Sequence, residues 1–150
     1  MAPDWQACRL DALSPARLYA LLAMREAVFV VEQRCAYQEL DGRDLAAEHL
    51  VAWSGDHVAA CLRLLPPDVD ADGPSIGRVL VARDRRGQGL GRELMRRGLA
   101  LAGQHYPGQD VRISAQAQLQ DFYASLGFVA VTGPYDEDGI AHVGMCRRGG

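Results

Sequence analysis

The segment Ile76-Gly-Arg-Val-Leu-Val-Ala-Arg-Asp-Arg-Arg-Gly-Gln-Gly-Leu-Gly91 carries the clearest chemical signature of the chain. An apolar, β-branched run enters a glycine-rich turn and leaves as a helix, an arrangement suited to cradling a diphosphate. Gly87, Gly89 and Gly91 remove side chains where main-chain N–H groups must close around an anion. A helix beginning near Leu90 adds its unpaired first-turn amides and the positive end of its dipole. One dipole contact is worth only about 0.3–1 kcal/mol at an exposed site, so several amides must act together with Arg85, Arg86 or Arg92.

The glycine order narrows the ligand. A dinucleotide fingerprint needs Gly-x-Gly-x-x-Gly near the start of a βαβ unit, whereas this chain has Gly87-x-Gly89-x-Gly91 past its midpoint. A phosphate-binding P-loop needs Gly-Lys-Ser/Thr, and no lysine follows Gly91. What remains, Arg86-x-x-Gly89-x-Gly91 directly after a hydrophobic strand, resembles the acyl-CoA signature of the GNAT N-acetyltransferase superfamily. The resemblance implies that Arg86, Gly87, Gln88, Gly89, Leu90, Gly91 and Arg92 hold the cofactor diphosphate. It also implies that the backbone of Leu80 and Val81 holds the pantetheine arm.

A second segment, Phe122-Tyr-Ala-Ser-Leu-Gly-Phe128, follows about thirty residues later. Its Phe-Tyr-x-x-x-Gly-Phe pattern resembles the GNAT segment that presents a tyrosine to the cofactor sulfur. By that resemblance Tyr123 protonates the departing thiolate, a role worth about 10²–10⁴-fold. By itself Tyr123 reads as an amphipathic core aromatic. Many relatives carry asparagine seven residues before the tyrosine, where this chain has Gln116, whose amide offers the same donors and acceptor on a longer arm.

A third segment, Val28 to Asp44 followed by His49-Leu50, is similar to the ElaA-like branch of the superfamily, as is Tyr135-Asp-Glu-Asp-Gly-Ile-Ala-His142. The resemblance implies an α/β (α+β) GNAT fold with a mixed, mostly antiparallel sheet flanked by helices. It further implies acetyl-CoA as cofactor, an amine acceptor that is a small molecule or a peptide, and a possible homodimer through exposed Val, Phe or Tyr of the late strands. The acceptor itself is not named by it.

An amine arrives as ammonium and must lose a proton before attack. Glu32 is the expected general base or water-relay anchor, with Asp41, Asp44, His49 and His142 as alternatives. The commoner reading of each acid is a solvated surface charge, and of His142 a hydrogen-bonded histidine. Covalent transfer through Cys35 or Cys61 lacks a neighbouring histidine or lysine in sequence to lower the thiol pKa. A non-catalytic acyl-CoA-binding module is the alternative function.

The elements that must position these groups are legible in outline. Trp5–Arg9 reads as a strand, and Ser14-Pro15 as a helix start. Leu18, Leu21, Leu22, Arg25, Val28 and Phe29 fall on one helical face running to about Val30. Residues 33–47 lack periodicity and read as an acidic loop or a short broken helix. His49–Ser54 and His57–Leu65 flank Gly55-Asp56, a hairpin signal. A polar turn over 68–73 precedes a strand at Ser75–Val81, and a helix follows from about Gly89 to Gln104. Leu94, Met95, Gly98, Leu101 and Ala102 share one face of that helix, with Gly98 permitting close approach to a sheet. Val111–Ala115, Phe128–Val131 and His142–Cys146 read as strands, and Gln118–Leu126 as a helix ended by Gly127.

The 150 residues suit one domain with a sizeable core. A hydrophobic fraction of 49% excludes disorder, and a formal net charge of −3 gives no electrostatic reason to expect nucleic acid. The four cysteines have no zinc spacing, so no metal is expected. The start, Met-Ala-Pro-Asp-Trp, lacks an apolar leader, and no run approaches 18 apolar residues, pointing to a cytoplasmic protein without a membrane partner.

Overall fold

The computed structural model describes residues 2–67 and 73–149, so the polar turn expected over 68–73 lies, Gly73 excepted, outside the described residues. Strand β1 (Asp4–Arg9) leads into helix α1 (Pro15–Glu26). Ser14 caps α1 as expected, its Oγ accepting from the Arg17 amide at 3.2 Å. The helix continues past Glu26 as a π-helical stretch, Ala27–Glu32, two residues beyond the expected end. Such a widened turn is frequent at functional sites, and it carries Phe29 to the wall of a cavity.

Strands β2 (Glu48–Ser54) and β3 (His57–Leu65) form the expected hairpin, and β4 (Ser75–Val81) pairs antiparallel with β3. Helix α2 (Leu90–His105) buries Leu94, Met95, Gly98, Leu101 and Ala102. A Cβ on Gly98 would stand 2.6 Å from the Leu62 side chain, so glycine lets the helix lie close on β3. Then come β5 (Val111–Gln116), α3 (Gln120–Ala124), β6 (Val129–Ala130), β7 (Tyr135–Glu137) and β8 (Ile140–Arg147). Among the described residues these make one eight-stranded sheet, in the order β1-β2-β3-β4-β5-β8-β6 with β7 also on β8. The β4–β5 pair alone is parallel, so the sheet is mixed and mostly antiparallel, as expected.

Two cores flank the sheet. On one face α2, Tyr123 and Phe128 pack with Leu50, Leu62, Ile76, Val143 and Met145. On the other, Leu21 and Val28 cover Val51, Trp53, Cys61 and Leu80. No helix among the described residues is long and apolar enough to cross a membrane. Val129 in β6, Val131 just after it and Tyr135 in β7 are exposed, whereas Phe128, just before β6, is buried.

The β7–β8 hairpin escapes the reading by hydrophobic pattern. Its turn residues, Asp138 at φ +53° and Gly139 at φ +82°, form the two-residue connection that favours hairpins. The strand entering that turn, Tyr-Asp-Glu, is too short and polar to show alternation.

Candidate active site

The site is built around a parting in the sheet. Among the described residues, strands β4 and β5 register only at Ser75↔Arg112, and beyond that pair β4 has no partner on its β5 side. The cleft opens toward the end of β4, where a 3₁₀ turn (Arg83–Arg85) and the glycine-rich loop lead into α2. Gly87 and Gly89 lie at φ +76° and +78°, a region that costs an L-residue about 1–2 kcal/mol. Gly89 is the N-cap of α2 and contributes no side-chain cap, so the first-turn amides of Leu90, Gly91 and Arg92 are not covered by one. Those uncapped first-turn donors and the exposed loop fit a diphosphate.

Beside the far end of β5, Tyr123 is buried, with Phe122 and Phe128 packed edge-on at ring-centroid distances of 5.2 and 5.9 Å. Gly127 at φ +94° ends α3, allowing the Phe128 amide to donate to the Tyr123 carbonyl at 3.2 Å. The phenol makes no hydrogen bond to a described residue, and burial pushes its pKa up to about 12. It therefore holds its proton throughout the neutral range.

On the opposite face of the sheet lies a cavity of about 490 Å³. One wall is Phe29, Gln33, Cys35 and Tyr37, another is β4, and the third is Ser114, Gln116, Glu137 and His142. Gln116 donates to Gln33 Oε1 at 3.3 Å and accepts from Gln118 at 2.7 Å, spanning the cleft side of the cavity. In β4 an extra residue enters the ladder, since Cys61↔Leu80 is followed by Arg63↔Gly77. Arg78 and Val79 have no partner in that register, and Arg78 adopts φ +51°. A bulge of this kind re-aims main-chain groups beside active sites.

Matching the chain against known proteins decides the family. The model described as "Acetyltransferase (GNAT) domain" matches residues 13–148. The chain belongs to the GNAT acetyltransferase family. It is 46% identical over 147 residues to Protein ElaA of Escherichia coli K12, covering 97% of this chain and 96% of that protein. Among solved structures it is similar to an acyl-CoA N-acyltransferase from Pseudomonas aeruginosa, with 47% identity, a TM-score of 0.92 and coverage of 97% and 99% of the two chains. The crystal structure of Escherichia coli ElaA superposes with a TM-score of 0.91 at 44% identity, over 97% of this chain and 99% of that one. As a GNAT protein the chain is an acyltransferase that uses a coenzyme A derivative.

Within this GNAT site the acidic loop differs from its reading as a set of solvated carboxylates. Arg25, which shares a helical face with leucines, is almost fully buried and donates to Glu39 at 2.8 Å and to Asp44 at 2.6 Å. Arg63, inside an apolar strand, donates to Asp41 at 2.7 Å and to Asp44 at 3.2 Å. Arg78 pairs with Glu39 and Asp41. Three arginines thus neutralise three carboxylates. Burial pushes the Asp44 pKa up, but the hydrogen bonds and charges of Arg25 and Arg63 outweigh it and hold the group below the usual carboxylate range. Asp41 is held low in the same way, chiefly by Arg63. Neither is a base near neutrality. The signal for this cluster was an arginine at two core positions, which required a buried partner.

Glu32 receives both Arg86 Nη atoms, at 2.8 and 3.2 Å, and the Arg86 hydrogen bond holds its pKa below the usual value. Paired in this way, Glu32 is a weak proton acceptor. Arg86 also donates from Nε to the Val81 carbonyl at 3.0 Å, which ties the loop to the end of β4. His49 is buried and donates from Nε2 to the Asp44 carbonyl at 3.0 Å, and burial lowers its pKa, so it stays neutral inside the cluster. Arg92 donates to Ser125 Oγ at 3.0 Å, linking α2 to α3. Burial pushes the Cys61 thiol up to about 12, unlike an activated nucleophile, and Cys35 donates to the Asp138 carbonyl at 3.0 Å. No cluster of metal-ligating side chains occurs among the described residues.

Proposed function

We propose that this GNAT protein transfers the acetyl group of acetyl-CoA to a primary amine by direct attack in a ternary complex. The observation that carries the reading is the parted β4–β5 cleft, with uncapped α2 amides at its β4 end and the buried phenol of Tyr123 beside β5. When bound, acetyl-CoA supplies a thioester activated toward nucleophiles. The amides from Gly87 to Arg92 hold the diphosphate, and the unpaired edge of β4, at Val79, Leu80 and Val81, accepts the pantetheine arm in place of a strand. Gln116, already bridging to Gln33, orients that arm from the β5 side.

Tyr123 donates its proton to the departing sulfur. Its environment favours the neutral phenol, and a thiolate expelled into the same apolar surroundings is itself made more basic by desolvation. Glu32 serves in this reading as the fastening of Arg86 rather than as the base. The acceptor enters from the cavity on the other face of the sheet, so donor and acceptor meet at the cleft. Positioning of this kind supplies a large part of the acceleration in two-substrate reactions.

A thermal shift with acetyl-CoA tests the binding half. Ligand at about 100 times its Kd adds roughly 2.7 kcal/mol, a rise on the order of 5–10 °C at about 2–4 °C per kcal/mol. ATP should not compete. Free-thiol release with polyamines, amino sugars, aminoglycosides, amino acids and peptide N-termini then tests transfer. No melting shift with acetyl-CoA, or a shift reproduced by ATP, would overturn the reading.

A further inference from the structure

We infer that His142, oriented by Glu137, is the base that takes the proton from the acceptor ammonium. The inference rests on the acyl-transfer reading above and adds to it the group on the acceptor side.

Four observations converge on this imidazole. His142 is buried in β8 yet forms part of the cavity wall. Its Nδ1 lies 2.7 Å from the Ile140 carbonyl, which can only accept, so Nδ1 carries the proton and Nε2 is the basic nitrogen. Nε2 stands 3.4 Å from Glu137 Oε2, where the half-exposed carboxylate stabilises the imidazolium that protonation creates. Finally, His142 registers with Gln116 of β5 on one side and Tyr135 of β7 on the other, which sets it in the strand row that reaches the cleft.

Its surroundings fix the ring. Tyr135 stacks on the imidazole at 6.2 Å between centroids, and Ser114 bonds to both Tyr135 and Glu137. Across the cavity stand Cys35, Tyr37, Asp41, Arg43, Arg63 and Arg78. Of these, Asp41, Arg63 and Arg78 are engaged in the ion-pair cluster, so they leave the acceptor ammonium to the Glu137 side. An imidazole with an unprotonated ring nitrogen facing the substrate side is the side chain most often used for such proton removal.

Acid and base then approach the cleft from opposite faces of the sheet: Tyr123 belongs to the core on the α2 side, His142 to the cavity on the α1 side. The proton balance closes. R–NH₃⁺ gives one proton to His142 Nε2, and the freed lone pair forms the C–N bond as the C–S bond breaks. Tyr123 protonates the sulfur and is reprotonated by the second proton leaving nitrogen. His142 releases its proton to solvent past Glu137, so the net products are amide, thiol and one proton.

The test compares ethylamine, an ammonium at neutral pH, with 2,2,2-trifluoroethylamine, which is already neutral, using acetyl-CoA and free-thiol release. His142→Gln should lose about 10²–10⁴-fold in kcat/KM with ethylamine and less than about threefold with the fluorinated amine. In the variant the ethylamine rate should instead climb with pH in step with the free-amine fraction, and its acetyl-CoA melting shift should match wild type. Glu137→Gln should lose less than His142→Gln, again with ethylamine only. Equal losses with both amines, or no loss with either, would overturn the base assignment while leaving acyl transfer intact. Wild-type protein that binds acetyl-CoA and acetylates neither amine would overturn the amine-transfer reading, and this inference with it.

Discussion

Replacing Tyr123 by phenylalanine separates chemistry from architecture. The substitution removes one oxygen and leaves the ring between Phe122 and Phe128. Because that hydroxyl bonds to no described residue, its loss should leave stability unchanged within about 1 kcal/mol, since only a broken hydrogen bond carries a larger cost. Acetyl-CoA affinity should be equally unaffected, because the α2 amides and the β4 edge are untouched. Turnover is the quantity that moves. A positioned acid contributes about 10²–10⁴-fold, or roughly 3–5 kcal/mol of barrier. The phenol, pushed up to about 12 by burial, stays protonated through the ordinary assay range, so the loss should be uniform across neutral pH. Steady-state thiol release and single-turnover kinetics, with melting curves alongside, read all three quantities. Unchanged kcat in the phenylalanine variant would refute the assignment of the acid. A fall in kcat matched by a comparable loss of stability or affinity would refute the separation of roles.

Further outcomes follow from the same geometry. Arg25→Met leaves Glu39 and Asp44 without their buried partner, which should cost about 3–5 kcal/mol and lower the Tm by roughly 6–20 °C, read by calorimetry. Asp41 and Asp44 have folded-state pKa values held below the unfolded value of about 3.9. Their contribution is present above that pH and is lost as pH falls through the lower folded values, so acid unfolding should begin below about pH 4 and be blunted in Asp44→Asn. Gly89→Ala places an L-residue at φ +78°, costing about 1–2 kcal/mol. That cost should appear either as lowered stability, if the loop keeps its shape, or as about 5–30-fold weaker acetyl-CoA binding. Glu32→Gln should keep kcat within about threefold and alter acetyl-CoA affinity through the released Arg86; a loss of 10² or more would restore Glu32 as the base.

How much of this was readable from sequence depended on whether a residue's partners lie nearby along the chain. Helix α2 announced itself because Leu94, Met95, Gly98, Leu101 and Ala102 repeat at helical spacing, and the β2–β3 hairpin because Gly55-Asp56 sets a two-residue turn. The loop and Tyr123 segments stood out through motif spacing. What stayed hidden was assembled from distance. Arg25, Arg63 and Arg78 meet their carboxylates across 14 to 39 residues, so Glu39 and Asp44, which looked solvated, are buried in a charge-balanced cluster that the more exposed Asp41 completes. The π-helical stretch at Ala27–Glu32 and the bulge at Arg78 leave no periodic trace, since each inserts a residue where the pattern expects none. His142 stood only among the alternatives by sequence, because Glu137, the partner that singles it out, meets it through β7.

The central claim is that main-chain nitrogens at the start of α2 hold the diphosphate and thereby aim the thioester along the parted strands toward Tyr123. A crystal structure of the complex with acetyl-CoA examines it without intermediaries. Diphosphate oxygens within hydrogen-bond reach of the Gly87–Arg92 amides, with the sulfur beside the Tyr123 hydroxyl, is the expected result. A diphosphate bound elsewhere, or a sulfur facing away from that phenol, would contradict it.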